Sequence, residues 1–277
     1  MEAEINGVRL FYRDEGPRDG IPVVLIHGFP FSQAMWEPQI RALAEEFRVV
    51  AYDMRGLGQS GVGDGQYTME LYVDDLSALL DFLVIERAVL CGLSMGGYVA
   101  LRMAQREADR VRALVLCDTR SQADADEAKL GRAAAIRAIK QGGLAGFAED
   151  FVGKVFAPAS LAGAAAARRQ SAVSTIRSII AASQPLGVCG ALLAMAGRTD
   201  TTGTLAGIRV PALVLVGEHD ALTPPAQARA LAAAIPGSEM SVIAGAGHLS
   251  SLENPEEFNQ RLLGFLRRLS GRGGRPA

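Results

Sequence analysis

Short apolar runs alternate with longer amphipathic stretches over the first 120 residues of the chain. Apolar runs typical of buried strands lie at 22–26, 48–52, 89–93 and 113–117. Between the second and third runs, the spacing of Leu76, Leu79 and Leu83 indicates an amphipathic helix, with Thr68 as its N-cap. Strands that alternate with helices in this way predict parallel pairing through right-handed crossovers.

The two ends of the chain complete this pattern. Alternating residues around Asn6-Gly7 predict a hairpin of two strands within 2–15. Later runs at 211–216 and 238–243 predict two more strands, and an amphipathic helix is expected from Asn254-Pro255 onward. The expected fold is therefore of the α/β class, with a mostly parallel sheet of eight strands and helices on both faces.

The alternation stops after the sixth strand. Residues 121–202 contain no strand-like run and are rich in alanine at helical spacing, which predicts an inserted helical segment. We interpret it as a lid over the carboxyl edge of the sheet, where ligands bind in open α/β folds. An independent interaction domain or inert bulk is the alternative. Residues 1–120 and 203–270 then form the core, and residues 271–277 are expected to be a disordered tail.

Composition narrows the functional classes. The net charge is −2 and basic residues are interleaved with acidic ones, so we expect neither nucleic acid nor a membrane as a partner. We expect a cytoplasmic protein, because there is no secretory leader or spanning run and the three cysteines are scattered among apolar residues. No Cys/His spacing suggests a metal site. A homo-oligomer is compatible with the sequence, which leaves the oligomeric state open.

A serine between two glycines carries the first sign of chemistry. Ser94 follows the strand at 89–93 and precedes a helix, with Gly92 and Gly96 two positions to either side. A serine that attacks a carbonyl must stand clear of its backbone, which requires a sharp, strained turn. Side chains at the flanking positions would collide across that turn, so glycine is expected there. Because this pattern also occurs in ordinary turns, a base and an acid are needed to support the interpretation.

A candidate acid and a candidate base both follow strands later in the chain. Asp220 comes after the strand at 211–216, and His248 follows the last strand. A serine hydroxyl needs a base within hydrogen-bond reach, and the base needs a group that fixes its tautomer. We predict Ser94 as nucleophile, His248 as base and Asp220 as acid. Asp118, which also ends a strand, competes for the acid role; His219 is a weaker candidate for the base, and His27 is expected to be structural.

The remaining requirement is stabilisation of a developing oxyanion. Two backbone N–H groups suffice, and each contributes about 10²- to 10³-fold in rate. We expect one from Met95, directly after the nucleophile, and the other from Phe29, in the loop after the strand at 22–26. Trp36, near this loop, is a candidate substrate-binding residue. No metal or diffusible cofactor is required.

Taken together, these segments resemble the α/β-hydrolase superfamily over nearly the whole chain. The segments that carry the resemblance are 27–30, 53–60, 92–97, 217–220 and 247–248. The sequence is similar to the branch that holds 3-oxoadipate enol-lactonases, small carboxylesterases and serine-dependent non-haem peroxidases. Residues 247–255 are especially similar to the enol-lactonases. Ser94 in place of aspartate departs from haloalkane dehalogenases and epoxide hydrolases.

The resemblance and the residues together predict a serine hydrolase that cleaves a small carboxylic ester through an acyl-enzyme. Three alternatives stay open at this point. Enol-lactone hydrolysis needs a cation for the free carboxylate of the substrate, for which Arg168, Arg169 and Arg177 are candidates. Perhydrolysis is suggested by Trp36 and Pro30 near the oxyanion loop. The last alternative is a non-catalytic ligand-binding protein on the same fold.

Overall fold

Within residues 1–162 and 164–272, which the computed structural model describes (164–168 and 272 by their backbone alone), eight strands form one sheet. The strands are β1 (Glu2–Ile5), β2 (Val8–Glu15), β3 (Pro22–Ile26), β4 (Arg48–Tyr52), β5 (Ala88–Leu93), β6 (Val111–Cys117), β7 (Ala212–Gly217) and β8 (Glu239–Ile243). Their order is β1-β2-β4-β3-β5-β6-β7-β8. The pairs β1–β2 and β2–β4 are antiparallel and the others are parallel. The predicted mostly parallel, eight-stranded sheet is confirmed.

Helices follow most strands. They are α1 (Glu37–Leu43), α2 (Met69–Phe82), α3 (Met95–Arg106), α4 (Asp126–Gly142), α5 (Leu144–Val155), α6 (Pro158–Leu161), α7 (Ala164–Ala182), α8 (Pro185–Ala196), α9 (Pro225–Ala234), α10 (Ser250–Glu253) and α11 (Pro255–Arg272). Short 3₁₀ helices lie at Gln33–Trp36, Ala108–Arg110 and Thr202–Gly207. Buried apolar side chains form one cluster on each face of the sheet, as expected where helices cover both faces.

Parallel register brings the strand ends to one edge of the sheet. Leu93 pairs with Cys117, Cys117 pairs with Leu215, and Gly217 pairs with Ile243. The loops that follow β3, β5, β6, β7 and β8 therefore leave the same edge, which is where ligands bind in open α/β sheets.

Several local predictions are also confirmed. Asn6 and Gly7 have φ angles of 47° and 76°, as a two-residue hairpin turn requires. Thr68 caps α2, because its side chain accepts a hydrogen bond from the Leu71 N–H at 3.0 Å.

The inserted segment (residues 121–202) carries α4 to α8 between β6 and β7, in agreement with the helical pattern. Its two ends meet: the Thr201 N–H donates to the Ser121 carbonyl at 3.0 Å. Nearby, the buried Asp124 carboxylate accepts hydrogen bonds from Arg120, Arg132 and Arg198. This cluster of ion pairs and the backbone hydrogen bond thus hold the two ends of the segment together.

The last helix is longer than expected. α11 continues to Arg272, so residues 271 and 272, which we expected in the tail, belong to the helix. Residues 273–277, the rest of that predicted tail, lie outside the described residues.

No single helix in the described part of the chain is long and apolar enough to cross a membrane. Segment 169–182 and helix α8 reach the required length and hydropathy only together, across a bend of 100°.

Candidate active site

Ser94 stands at a strained turn between β5 and α3. Its φ and ψ angles are 54° and −112°. Residues other than glycine rarely adopt a positive φ. Two hydrogen bonds secure the turn: the Ser94 N–H donates to the Cys117 carbonyl at 2.9 Å, and Thr119 Oγ1 donates to the Ser94 carbonyl at 2.8 Å. The backbone is therefore held in a conformation that sets the serine apart from the strand and the helix.

The glycines on either side are required by space. A Cβ atom at Gly92 would lie 2.2 Å from the Gly96 carbonyl oxygen, and one at Gly96 would lie 2.2 Å from the Ile26 carbonyl oxygen. Both distances are far inside van der Waals contact with backbone atoms. The predicted collision across the turn is confirmed for Gly92, whereas Gly96 is required because the end of β3 approaches it closely.

His248 and Asp220 form a buried pair at the same edge. His248 Nδ1 lies 2.8 Å from Asp220 Oδ2, and both residues are 3% exposed. The other oxygen, Oδ1, accepts the backbone N–H groups of Leu222 and Thr223 at 2.8 and 2.9 Å. Burial acts to raise the pKa of Asp220, but the charge interaction with His248 and the hydrogen bonds from His248 and Thr223 outweigh it and lower the pKa. The carboxylate is thus ionised and aimed at the imidazole.

Asp118, the competing acid, has other partners. Its Oδ1 accepts the Gly217 N–H at 2.8 Å and its Oδ2 is bonded to the Ser250 hydroxyl. Burial, with the nearby charge of Asp220, raises the pKa of Asp118 well above its usual range. The geometry therefore favours Asp220 over Asp118 as the partner of His248.

The other two histidines have no part in this pair. The side chain of His219 is 52% exposed and lies 3.8 Å from Glu218. His27 is buried. Its Nδ1 is hydrogen-bonded to the Gly28 carbonyl at 2.8 Å, and its Nε2 accepts a hydrogen bond from the Met54 N–H at 2.9 Å. Burial lowers the pKa of His27 to about 4, so it is neutral at pH 7. His27 ties the loops after β3 and β4 together, as its predicted structural role requires.

The two predicted oxyanion donors are available. Met95 is the first residue of α3, so its N–H has no acceptor within the helix and lies at the positive end of the helix dipole. Among the hydrogen bonds of the described residues, neither the Phe29 N–H nor the Met95 N–H has an acceptor. Both groups can therefore donate to a bound oxygen.

Trp36 lies elsewhere than expected. Its side chain is completely buried in the core and its ring centroid lies 6.2 Å from that of Phe258, on α11. Trp36 ends a 3₁₀ turn and belongs to the same buried apolar cluster as Ile40 and Leu43 of α1. The structure corrects the proposed substrate contact: Trp36 is a core residue.

An aromatic group over the Phe29 loop was not predicted. Phe147 and Phe151, one turn apart on α5, stack with centroids 5.4 Å apart, and their rings meet the Phe29 ring edge-on at 6.1 and 5.7 Å. Both side chains pack against the apolar clusters of both sheet faces, so they lie at the sheet edge. Two phenylalanines at helical spacing within an alanine-rich segment were the available signal.

The nucleophile and the base are not hydrogen-bonded in this conformation. The bonds among the described residues include none between Ser94 Oγ and His248, although both residues follow strands that end at the same edge. Catalytic contacts of this kind are often long before substrate binds. Within the same residues, no three His, Cys, Asp or Glu side chains are grouped to hold a metal ion.

The strand order, the helices on both faces and the glycine-flanked serine define an α/β-hydrolase. A family model for the alpha/beta hydrolase fold matches residues 21–255, and the chain belongs to that family.

Three relatives show the range of that family around this chain. A solved thermophilic esterase from Thermogutta terrifontis is 38% identical, with a TM-score of 0.91 over 97% of this chain and 98% of that one. The 3-oxoadipate enol-lactonase 1 of Acinetobacter baylyi is 31% identical over 94% of both chains. A non-heme chloroperoxidase from Streptomyces lividans is 31% identical over 95% of this chain and 97% of its own length.

Proposed function

We propose that the protein is a serine hydrolase that cleaves small, neutral carboxylic esters through an acyl-enzyme. The observation that carries this proposal is the buried His248–Asp220 pair, at the sheet edge that also carries Ser94 on its strained turn. The similarity to a thermophilic esterase over nearly the whole chain supports it.

In the first half of the reaction, Ser94 Oγ attacks the acyl carbon and its proton passes to His248 Nε2. Asp220 holds the imidazole through Nδ1 and balances the charge that forms on it. The Phe29 and Met95 N–H groups donate to the oxyanion. Collapse of the tetrahedral intermediate breaks the ester bond, and the departing alkoxide takes the proton from His248.

In the second half, His248 removes a proton from a water molecule that attacks the acyl-enzyme. A second tetrahedral intermediate is stabilised by the same two N–H groups, and Ser94 recovers its proton as the acid is released. No other group is needed for the proton transfers.

We further propose that the inserted segment is a lid. The contact of Phe147 and Phe151 with Phe29 supports this role. We also propose that the protein is cytoplasmic.

The charges of the inserted segment favour a neutral substrate. Arg169 donates to the Glu253 carbonyl and to the Ser160 hydroxyl, both at 2.8 Å, and Arg177 pairs with Glu149 at 2.6 Å. Two of the three candidate cations for a substrate carboxylate therefore have protein partners. The Arg168 side chain lies outside the described residues.

The proposal is tested with Ser94→Ala and p-nitrophenyl acetate. We expect kcat to fall by about 10⁴- to 10⁶-fold with an unchanged melting temperature. The Ser77 hydroxyl, on α2, donates a hydrogen bond to Glu107, which directly follows α3. Ser77→Ala is therefore the matched control and should keep full activity. Near-normal turnover by Ser94→Ala would reject the mechanism.

Enol-lactone hydrolysis is the second candidate, supported by the similarity to the Acinetobacter baylyi enzyme. Good activity on neutral esters without hydrolysis of the enol-lactone would remove it. Perhydrolysis, supported by the chloroperoxidase relative, is tested by bromination of monochlorodimedone in acetate and peroxide. A non-catalytic binding protein would leave Ser94 unlabelled by a fluorophosphonate probe, whereas an activated serine reacts.

A further inference from the structure

A buried carboxylate lies beside the loop that carries His248. Glu253, at the end of α10, is 4% exposed. Its Oε1 accepts the Gly247 N–H at 2.8 Å, and its Oε2 accepts the Ala157 N–H at 2.9 Å. The Ser160 hydroxyl also donates to Oε2. One side chain thus bonds both the residue before His248 and the inserted segment.

Further contacts join the histidine loop to the same part of the inserted segment. The His248 N–H donates to the Val155 carbonyl at 2.9 Å, at the end of α5. The Arg169 guanidinium bonds both the Glu253 carbonyl and the Ser160 hydroxyl. A Cβ atom at Gly247 would lie 2.5 Å from the Ala157 nitrogen, so the two segments touch at van der Waals distance. The histidine loop and the start of α6 are therefore one packed unit.

We propose that Glu253 is a positioning residue for His248, which it acts on by tying the histidine loop to residues 155–160 of the inserted segment. This inference rests on the proposed hydrolase function. A general base must be held within a fraction of an ångström of its productive position, and a misplacement of about 1 Å costs about 10²-fold in rate. Two charge-assisted bonds to fixed backbone N–H groups provide that constraint.

Glu253→Gln tests the carboxylate with little change in shape. An amide offers one acceptor oxygen and one NH₂ group, so either the Gly247 or the Ala157 N–H loses its acceptor. We expect kcat per fluorophosphonate-labelled serine to fall at least about 10-fold, while KM stays within about 3-fold. A purely structural role would lower the number of labelled serines but leave kcat per labelled serine unchanged.

Glu257→Gln is the matched control. Its carboxylate also accepts a backbone N–H, from Ala244 at 3.0 Å, near the start of the same loop. Its other described bonds are with Asn254 and Arg261, so it does not join the loop to the inserted segment. We expect kcat per labelled serine to stay within about 2-fold of wild type.

The outcomes separate the two proposals. Equal kcat per labelled serine in wild type and Glu253→Gln would overturn the role of Glu253 alone. A wild-type chain with no ester turnover and no label on Ser94 would overturn the proposed function itself. Should Glu253→Gln fail to fold, Ser160→Ala, which removes one bond from the same carboxylate, decides: a fall in kcat of about 3-fold or more supports the proposal, and an unchanged kcat overturns it.

Discussion

His248 Nδ1 and Asp220 Oδ2 lie 2.8 Å apart, although the two residues follow different strands. The contact exists because β7 and β8 pair in parallel register, so the loops after them leave the sheet side by side. The second oxygen of Asp220 accepts hydrogen bonds from two backbone N–H groups, which prevents the carboxylate from turning away from His248. The Asp220 carboxylate is thus oriented toward His248 before any substrate arrives.

Replacement of Asp220 by asparagine should abolish most of the activity. The amide cannot balance an imidazolium, and its NH₂ group favours the wrong tautomer of His248, so we expect kcat to fall by about 10⁴-fold. Asp118→Asn is the control, because Asp118 bonds Gly217 and Ser250 in place of His248. We expect it to retain kcat within about 10-fold. The reverse ranking in steady-state assays would reassign the acid to Asp118.

Gly96→Ala should damage both stability and activity. The new methyl group would lie 2.2 Å from the Ile26 carbonyl oxygen, so the turn at Ser94 must shift. We expect the free energy of unfolding in urea to fall by about 1 to 3 kcal/mol and ester turnover to be lost.

Gly131→Ala is the matched control for this glycine. Gly131 is exposed on α4, and a Cβ atom there would meet nothing within 4 Å outside its own helix. Helix propensity favours alanine at such a position by up to about 1 kcal/mol. This variant should be as stable as wild type or more so, with full activity. Equal stability of Gly96→Ala and wild type would contradict the steric explanation of the turn.

The sequence was informative where a single local feature dictates the structure. Positions 92 and 96 admit only glycine because a Cβ atom there would meet backbone carbonyl oxygens, and Asp220 and His248 each follow a stretch that was predicted as a strand. Their convergence follows from parallel pairing, which the alternation of strands and helices already implies.

Long-range contacts were not predictable in the same way. Glu253 bonds Ala157 and Ser160, which are 96 and 93 residues away, and no periodicity in the chain marks such a pair. Trp36 illustrates the opposite error. It is close to the Phe29 loop along the chain, but its side chain is fully buried in the core at the end of a 3₁₀ turn.

Phe151→Ala should change the choice of substrate. The Phe151 ring lies 5.7 Å from that of Phe29 and 6.0 Å from that of Phe31, so its removal opens space beside the loop that carries Phe29. We expect the ratio of kcat/KM for p-nitrophenyl hexanoate to that for the acetate to rise by roughly 10-fold. Phe82→Ala, half-exposed on α2, is the control and should leave the ratio unchanged. An unchanged ratio in Phe151→Ala would show that α5 does not line the acyl site.

The buried His27 should make the protein sensitive to acid. Its pKa is lowered to about 4 in the folded chain, against about 6.5 when unfolded, so the unfolded chain binds the extra proton between these values. Its contribution to stability is complete above pH 6.5 and is lost progressively as the pH falls toward 4. Between pH 6.5 and 4.5, wild type should lose about 2 kcal/mol more unfolding free energy than His27→Gln.

Urea titrations of both proteins at the two pH values measure this difference. Asp53 acts in the opposite sense, because burial raises its pKa to about 6 and favours the folded state at low pH. Since wild type and His27→Gln both carry Asp53, its effect cancels in the comparison. Glutamine can keep the bonds to Gly28 and Met54 while it removes the titrating group. Parallel losses of stability in the two proteins would mean that His27 takes up its proton in the folded state as readily as in the unfolded one.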